Sequence, residues 1–180
     1  MTKLVSPTGS AGWTQLREAR GFKGSEENKK YSQDLVLPRK EGEAFITKLQ
    51  EIANKLHAQE IEKQKMRGKS VRYAPPIINY KDLTEDTIQL SFKRREVEGQ
   101  PLVVDADNKP FTDMVKKDMQ LQIAFEVRPY VMATVFGVTL NLLAVKVMST
   151  IPAPLKVEDL FGEAPATTTK TEAPKVEDLF

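Results

Sequence analysis

The chain has 180 residues, a formal net charge of +2 and no cysteine. That length suits one domain of about 150 residues plus a tail, and the missing thiols exclude disulfides, thiolate catalysis and thiolate-held zinc while fitting a reducing cytosol. Residues 151–180 hold six acidic residues against three lysines, a net of −3, which leaves +5 for residues 1–150; a basic body with an acidic tail suits a polyanion partner and lets the tail compete for the same surface.

Residues 1–30 are rich in Gly, Ser, Lys and Glu, with Trp13 and Phe22 as isolated aromatics. They read as a loop-rich entry with at most one strand. Tyr31 to Leu37 is a strand stopped by Pro38. Residues 42–66 form the one clear helix: Phe45, Leu49, Ile52 and Leu56 fall on one face, and Gly68 ends it. Its second half, from Ala58 to Lys65, is nearly all polar and is open to two readings, a homodimer arm or a solvated spur. Residues 67–80 form a loop with Arg67, Lys69, Arg72 and Tyr73, then Pro75-Pro76. Thr87 to Lys93 alternates, with Ile88, Leu90 and Phe92 inward, as a half-buried strand does. Leu102 to Val104 is a short strand, and residues 105–110 (DADNKP) form a turn. Met119 to Val127 alternates over nine residues, and Pro129-Tyr130 ends it. Val138 to Val147 is the last strand; its alternation breaks at Leu142-Leu143, the mark of a bulge or of burial on both faces. Five or so antiparallel strands and one long helix predict a mainly β chain: an OB-fold-like barrel with an inserted helix.

A catalytic constellation is hard to build. His57 is the only histidine and reads as a solvent-exposed helix residue. Asp105-x-Asp107-Asn108 lacks the glycine and the distal glutamate of a calcium loop, so neither a metal nor a cofactor is expected. The longest apolar stretch, Val131 to Val147, is interrupted by Thr134, Gly137, Thr139, Asn141 and Lys146. A membrane span needs about 20 predominantly apolar residues. The N-terminus lacks the pattern of a signal peptide.

A single-strand binder needs a basic groove that follows phosphates and aromatic faces on which bases stack. The chain interleaves both. Arg67, Lys69, Arg72 and Tyr73 lie together; Lys93, Arg94 and Arg95 follow a strand; Arg128 and Tyr130 flank Pro129. The C-terminal region adds a repeat: Lys156-Val157-Glu158-Asp159-Leu160-Phe161 recurs as Lys175-Val176-Glu177-Asp178-Leu179-Phe180. In a segment rich in Pro, Ala and Thr, this reads as a short acidic-aromatic docking motif on a disordered leash.

Residues 31–38 (YSQDLVLP) before a long helix, Arg67-Gly68-Lys69 after it, Leu102-Val103-Val104-Asp105-x-x-x-Lys109, Phe125-Glu126-Val127-Arg128-Pro129-Tyr130, and the stretch from Gly137 to Val145 occur in that order. Together with the acidic tail, this resembles the single-stranded-DNA-binding proteins of short-tailed, podovirus-type bacteriophages over roughly residues 30–148. The resemblance implies an OB-fold, sequence-tolerant binding of single-stranded DNA during phage replication, recombination and repair, and no catalysis, in the cytoplasm of the infected bacterial host. It implies that Arg67, Lys69 and Tyr130 touch DNA, and less directly Lys93, Arg94 and Arg95. It implies that the tail (Glu158, Asp159, Leu160, Phe161, Glu177, Asp178, Leu179, Phe180) contacts the phage DNA polymerase and helicase-primase and screens the groove. The chain departs from the family where Val115 to Asp118 replaces a glycine-rich turn. It departs again where Val131-Met132-Ala133 stands in place of a tryptophan, so that a stacking platform is lost or has moved to Trp13 or Tyr73. Two rival readings predict different behaviour: an adaptor that uses the tail to dock and binds no oligonucleotide, and an RNA chaperone that prefers ribose.

Overall fold

The computed structural model describes residues 3–21 and 28–149; Phe22 and the acidic tail with both motif copies lie outside the described residues. Among the described residues, eight strands and one α-helix follow in order: β1 (Lys3–Val5), β2 (Gly9–Arg20), β3 (Lys30–Pro38), α1 (Arg39–Met66), β4 (Lys81–Asp82), β5 (Thr87–Arg95), β6 (Leu102–Val104), β7 (Gln120–Met132) and β8 (Val135–Ser149). Strands β7, β2, β3, β5 and β8 pair in that order, and β8 pairs again with β7, so five strands form a ring. Strands β1, β4 and β6 pair with β7, β5 and β8 of that ring.

Two corrections concern this ring. It is not wholly antiparallel: β5 meets β8 in parallel at Lys93 and Asn141, and β6 also runs parallel to β8. The entry segment is not loop-rich either, since β2 is twelve residues long. Its alternation is hidden in the sequence by two register shifts, between Ala11 and Thr14 and between Gln15 and Arg20. Extra residues at those points break the two-residue period while Ala11, Leu16 and Ala19 still reach the core.

The strands read from alternation hold. Ile88, Leu90 and Phe92 are fully buried, as are Leu121, Ile123 and Phe125. The break at Leu142-Leu143 is a bulge: Ala124 opposes Ala144, the next residue Phe125 opposes Leu142, and Leu143 is left over. Strand β7 does not stop at Pro129. It runs to Met132, pairing Pro129 with Val138 and Tyr130 with Gly137. A proline is tolerated here because this part of β7 lies beyond its pairing with β1, on an open edge.

Helix α1 lays Phe45, Leu49 and Ala53 on the ring, with Ile52 and Leu56 half-buried beside them. Phe45 meets Phe125 edge-on at 6.0 Å between ring centres, and Phe125 meets Phe92 at 5.0 Å. Gly42 is needed at the first turn, because a Cβ there would overlap the side chain of Ile88. Arg39 anchors the same turn by donating to Asp82 at 2.7 Å. The helix ends as its glycine predicts. Gly68 takes φ +72°, its N–H donates to the Lys65 carbonyl, and the Lys69 N–H donates to that of Gln64, the paired closure that a left-handed glycine permits.

His57 is a further correction. It is half-buried rather than exposed, with its ring 5.1 Å from Phe136 and 6.5 Å from Tyr73. The loop after α1 folds back, forms a bridge from Ala74 to Val135 and packs Tyr73 on both His57 and Phe136, so that the three rings form one cluster. In the turn at residues 105–110, one carboxylate oxygen of Asp105 accepts the N–H groups of Asp107 and Lys109 at 2.9 Å each. That oxygen is thus used within its own turn.

Candidate nucleic-acid interface

A groove of about 690 Å³ runs between the ends of β3 and β5 and the β7–β8 hairpin. Its lining includes five cations, Lys30, Lys93, Arg94, Arg95 and Arg128, against one carboxylate, Glu98. Alternation explains part of this: Phe92 points to the core, so Lys93 and Arg95 point outward beside it.

The five cations are not equivalent. Arg94 turns back on the protein and donates to the carbonyls of Gly99 (2.7 Å), Leu142 (3.2 Å) and Glu98. Those three bonds tie the turn after β5 to β8. Arg128 is held by two carboxylates, Glu98 at 2.8 Å and Glu126 at 3.1 Å. Burial disfavours the Arg128 charge, but the hydrogen bond to Glu126 and the charge of Glu98 outweigh it, so its pKa stands above the ordinary arginine value. The side chains of Lys30, Lys93 and Arg95 make no hydrogen bond or ion pair with any described residue. They are the cations with donors to spare for phosphate oxygens.

Tyr130 supplies the aromatic surface. It faces Gly137 across the hairpin, and a Cβ on Gly137 would overlap the tyrosine ring at Cζ, Cε1 and the hydroxyl. The ring therefore lies down on the glycine, where no side chain stands it away from the strand. It remains 43% exposed. On the same face of the hairpin, Met132 and its cross-strand partner Val135 are also exposed, which extends the apolar surface.

The other sequence-derived residues lie elsewhere. Arg67, Lys69 and Arg72 are exposed on the loop after α1, which reaches the hairpin tip at Ala74, but they lie outside the groove lining. Tyr73 is half-buried on His57 and Phe136. Phe136 and Gly137 are consecutive in β8 and so point to opposite faces; Tyr73 thus packs on the face away from Tyr130. Trp13 is 63% exposed in a second groove, not beside Tyr130. Sequence reasoning missed Lys30 and Gly137. The Lys29-Lys30 pair at the start of a strand was a signal for the first; only the cross-strand register reveals the second.

Comparison with known proteins gives the same architecture. No protein-family model matches the chain, and no curated protein matches it in sequence. The chain shares its fold with gp2.5 of bacteriophage T7. That crystal structure, of a single-stranded DNA-binding protein, aligns with 88% of this chain and 97% of its own, at a TM-score of 0.64 and 15% identity. The single-stranded DNA-binding protein of bacteriophage Enc34 aligns with 93% of this chain and 88% of its own, at a TM-score of 0.59 and 15% identity. The same protein in complex with single-stranded DNA aligns over 83% and 87%, at a TM-score of 0.57 and 14% identity.

Proposed function

We propose that this chain is a non-catalytic, sequence-tolerant single-stranded-DNA-binding protein of OB-fold type. The observation that carries the reading is one groove with three cations, Lys30, Lys93 and Arg95, that are unpaired among the described residues, beside an exposed tyrosine ring laid flat on a glycine. Cations without carboxylate partners neutralise phosphates, and a flat ring accepts any base, because every base has a π-face. The fold shared with two phage single-stranded DNA-binding proteins supports it. Arg67, Lys69 and Arg72 enter as outer cations on the loop after α1. Arg94, Arg128 and Tyr73 enter as supports of the groove rather than as DNA contacts.

The cellular role follows from this reading: protection of single strands during phage DNA replication, recombination and repair. Residues 1–150 are the DNA-binding domain, and residues 151–180 carry two docking peptides for replication proteins such as a polymerase or helicase-primase. Their acids compete with DNA for the groove. Deleting residues 176–180 separates two uses of the repeat: complete loss of partner binding means that only the terminal copy works.

The test is fluorescence anisotropy of labelled oligo-dT and of a duplex of equal length, at several salt concentrations. Binding to the single strand alone is expected. The three groove cations alone should give a slope of log affinity on log salt of roughly −2, at about −0.7 per phosphate, and any engaged outer cation should make it steeper. Ending the chain at Thr150 should tighten binding. Absence of binding in both forms would leave the tail-docking adaptor as the better account.

A further inference from the structure

A second groove, of about 920 Å³, lies on the other side of the turn that follows β5. Glu98 lines the first groove and Gln100 lines the second. The second holds the exposed Trp13, together with Leu102 and Met114, both also exposed. Its lining holds two cations, Arg17 and Arg20, and two carboxylates, Glu18 and Asp113. Arg17 donates to the Thr112 carbonyl. Arg20 has only a loose ion pair with Glu18, at 3.8 Å, both side chains being largely exposed; such a pair is screened and weak.

The register joins the two grooves. Arg20 on β2 stands directly opposite Lys30 on β3, and Lys30 stands directly opposite Arg95 on β5. Directly opposed residues share a face of the sheet. Three cations therefore form one row across three strands, spanning roughly 10 Å at the usual strand spacing. One end of the row, Arg20, lines the Trp13 groove; the rest, Lys30 and Arg95, line the Tyr130 groove. Like charges set side by side are unfavourable in the free protein, and a polyanion laid along the row relieves that repulsion. The bulges in β2 also bring Trp13 closer. Between Ala11 and Arg20, β2 spends nine steps where β3 spends five, from Leu35 to Lys30.

We infer that the Trp13 groove is a second stacking site for the same single strand, which crosses from Tyr130 to Trp13 over the row Arg95–Lys30–Arg20. The inference rests on the single-stranded-DNA reading of the first groove. Its occupant is DNA rather than a protein because the row of cations runs unbroken from one groove to the other. Short strands fill the Tyr130 groove alone; longer ones reach Trp13.

Trp13 is the only tryptophan in the chain, so its emission reports on this groove alone. The full-length protein is titrated with oligo-dT of about 4 and about 16 nucleotides, the limits of single-strand site sizes for such folds. The longer strand should quench Trp13 and the shorter should not. Trp13→Ala should weaken the longer strand roughly 5- to 150-fold, the loss of one stacked base, and leave the shorter unchanged, while Trp13→Phe restores most of it. Arg20→Gln should flatten the salt dependence for the longer strand only. If the longer strand binds and depends on Tyr130 but leaves Trp13 emission and the Trp13→Ala affinity untouched, the second site is refuted and the first stands. If neither strand binds, both fall. Trp13 emission that shifts with protein concentration without DNA would assign the groove to a second copy of the chain and overturn the inference.

Discussion

Gly137→Ala tests the aromatic platform without touching the aromatic residue. The added Cβ would overlap the Tyr130 ring at Cζ, Cε1 and the hydroxyl. Tyr130 is 43% exposed, so its ring can swing off the strand into solvent and relieve the clash. The glycine itself has no left-handed φ, so alanine is unstrained there. In a strand, alanine is favoured over glycine by roughly 0.5–1 kcal/mol, because the unfolded chain has less freedom to lose. That gain offsets the lost ring contact, and thermal stability should change by no more than about 1 kcal/mol. Binding should change more. If a base stacks on the seated ring, displacement costs about 1–3 kcal/mol, or roughly 5- to 150-fold in affinity. The assay is anisotropy with oligo-dT on wild type, Gly137→Ala, Tyr130→Ala and the double variant. Since the glycine acts only through the tyrosine, the double variant should bind like Tyr130→Ala, and the coupling energy should equal the whole Gly137→Ala effect. Wild-type affinity in Gly137→Ala would refute the seated-ring platform. Additive losses would mean that Gly137 contributes through something other than Tyr130.

Lys93→Ala and Arg95→Ala should each make the salt slope shallower by about 0.7, with little change in melting temperature. Arg94→Ala should do the reverse: three carbonyls lose a charged donor, which costs about 2 kcal/mol and lowers Tm by roughly 4–8 °C, with the salt slope unchanged. Arg128→Ala should also act on stability, by about 1–3 kcal/mol, because it leaves Glu126, only 8% exposed, without its partner. Gly42→Ala should destabilise by about 1–3 kcal/mol in thermal unfolding, because Ile88 is fully buried and has no room to yield.

Legibility in the sequence followed the range of the forces involved. The inner face of β7 and that of β5 were readable because a two-residue period is local and unbroken there. The bulge at Leu143 was readable for the same reason, as a local failure of that period. Helix α1 was readable from its apolar face and from Gly68. Strand β2 was not, because its register shifts add residues whose placement is set by partners on β3. The parallel meeting of β5 and β8 was also invisible, since it joins residues 93 and 141 and leaves no trace in either segment.

The binding residues divide along the same line. A basic run in a sequence counts charges, but what a cation can do depends on what it already touches. Lys93, Arg94 and Arg95 are consecutive, yet Arg94 faces inward to three carbonyls while its neighbours face outward with free donors. Arg128 precedes Tyr130 by two residues, and its charge is spent on Glu98 and Glu126. Counting charges alone would give the groove five phosphate contacts, Lys30, Lys93, Arg94, Arg95 and Arg128; its hydrogen bonds and ion pairs leave three. The row Arg20–Lys30–Arg95 makes the opposite point. Those residues are far apart in the chain and form no motif, but strand register sets them side by side. A charge pattern that matters to a polyanion is thus a property of the sheet, and it becomes readable only once the pairing of β2, β3 and β5 is known.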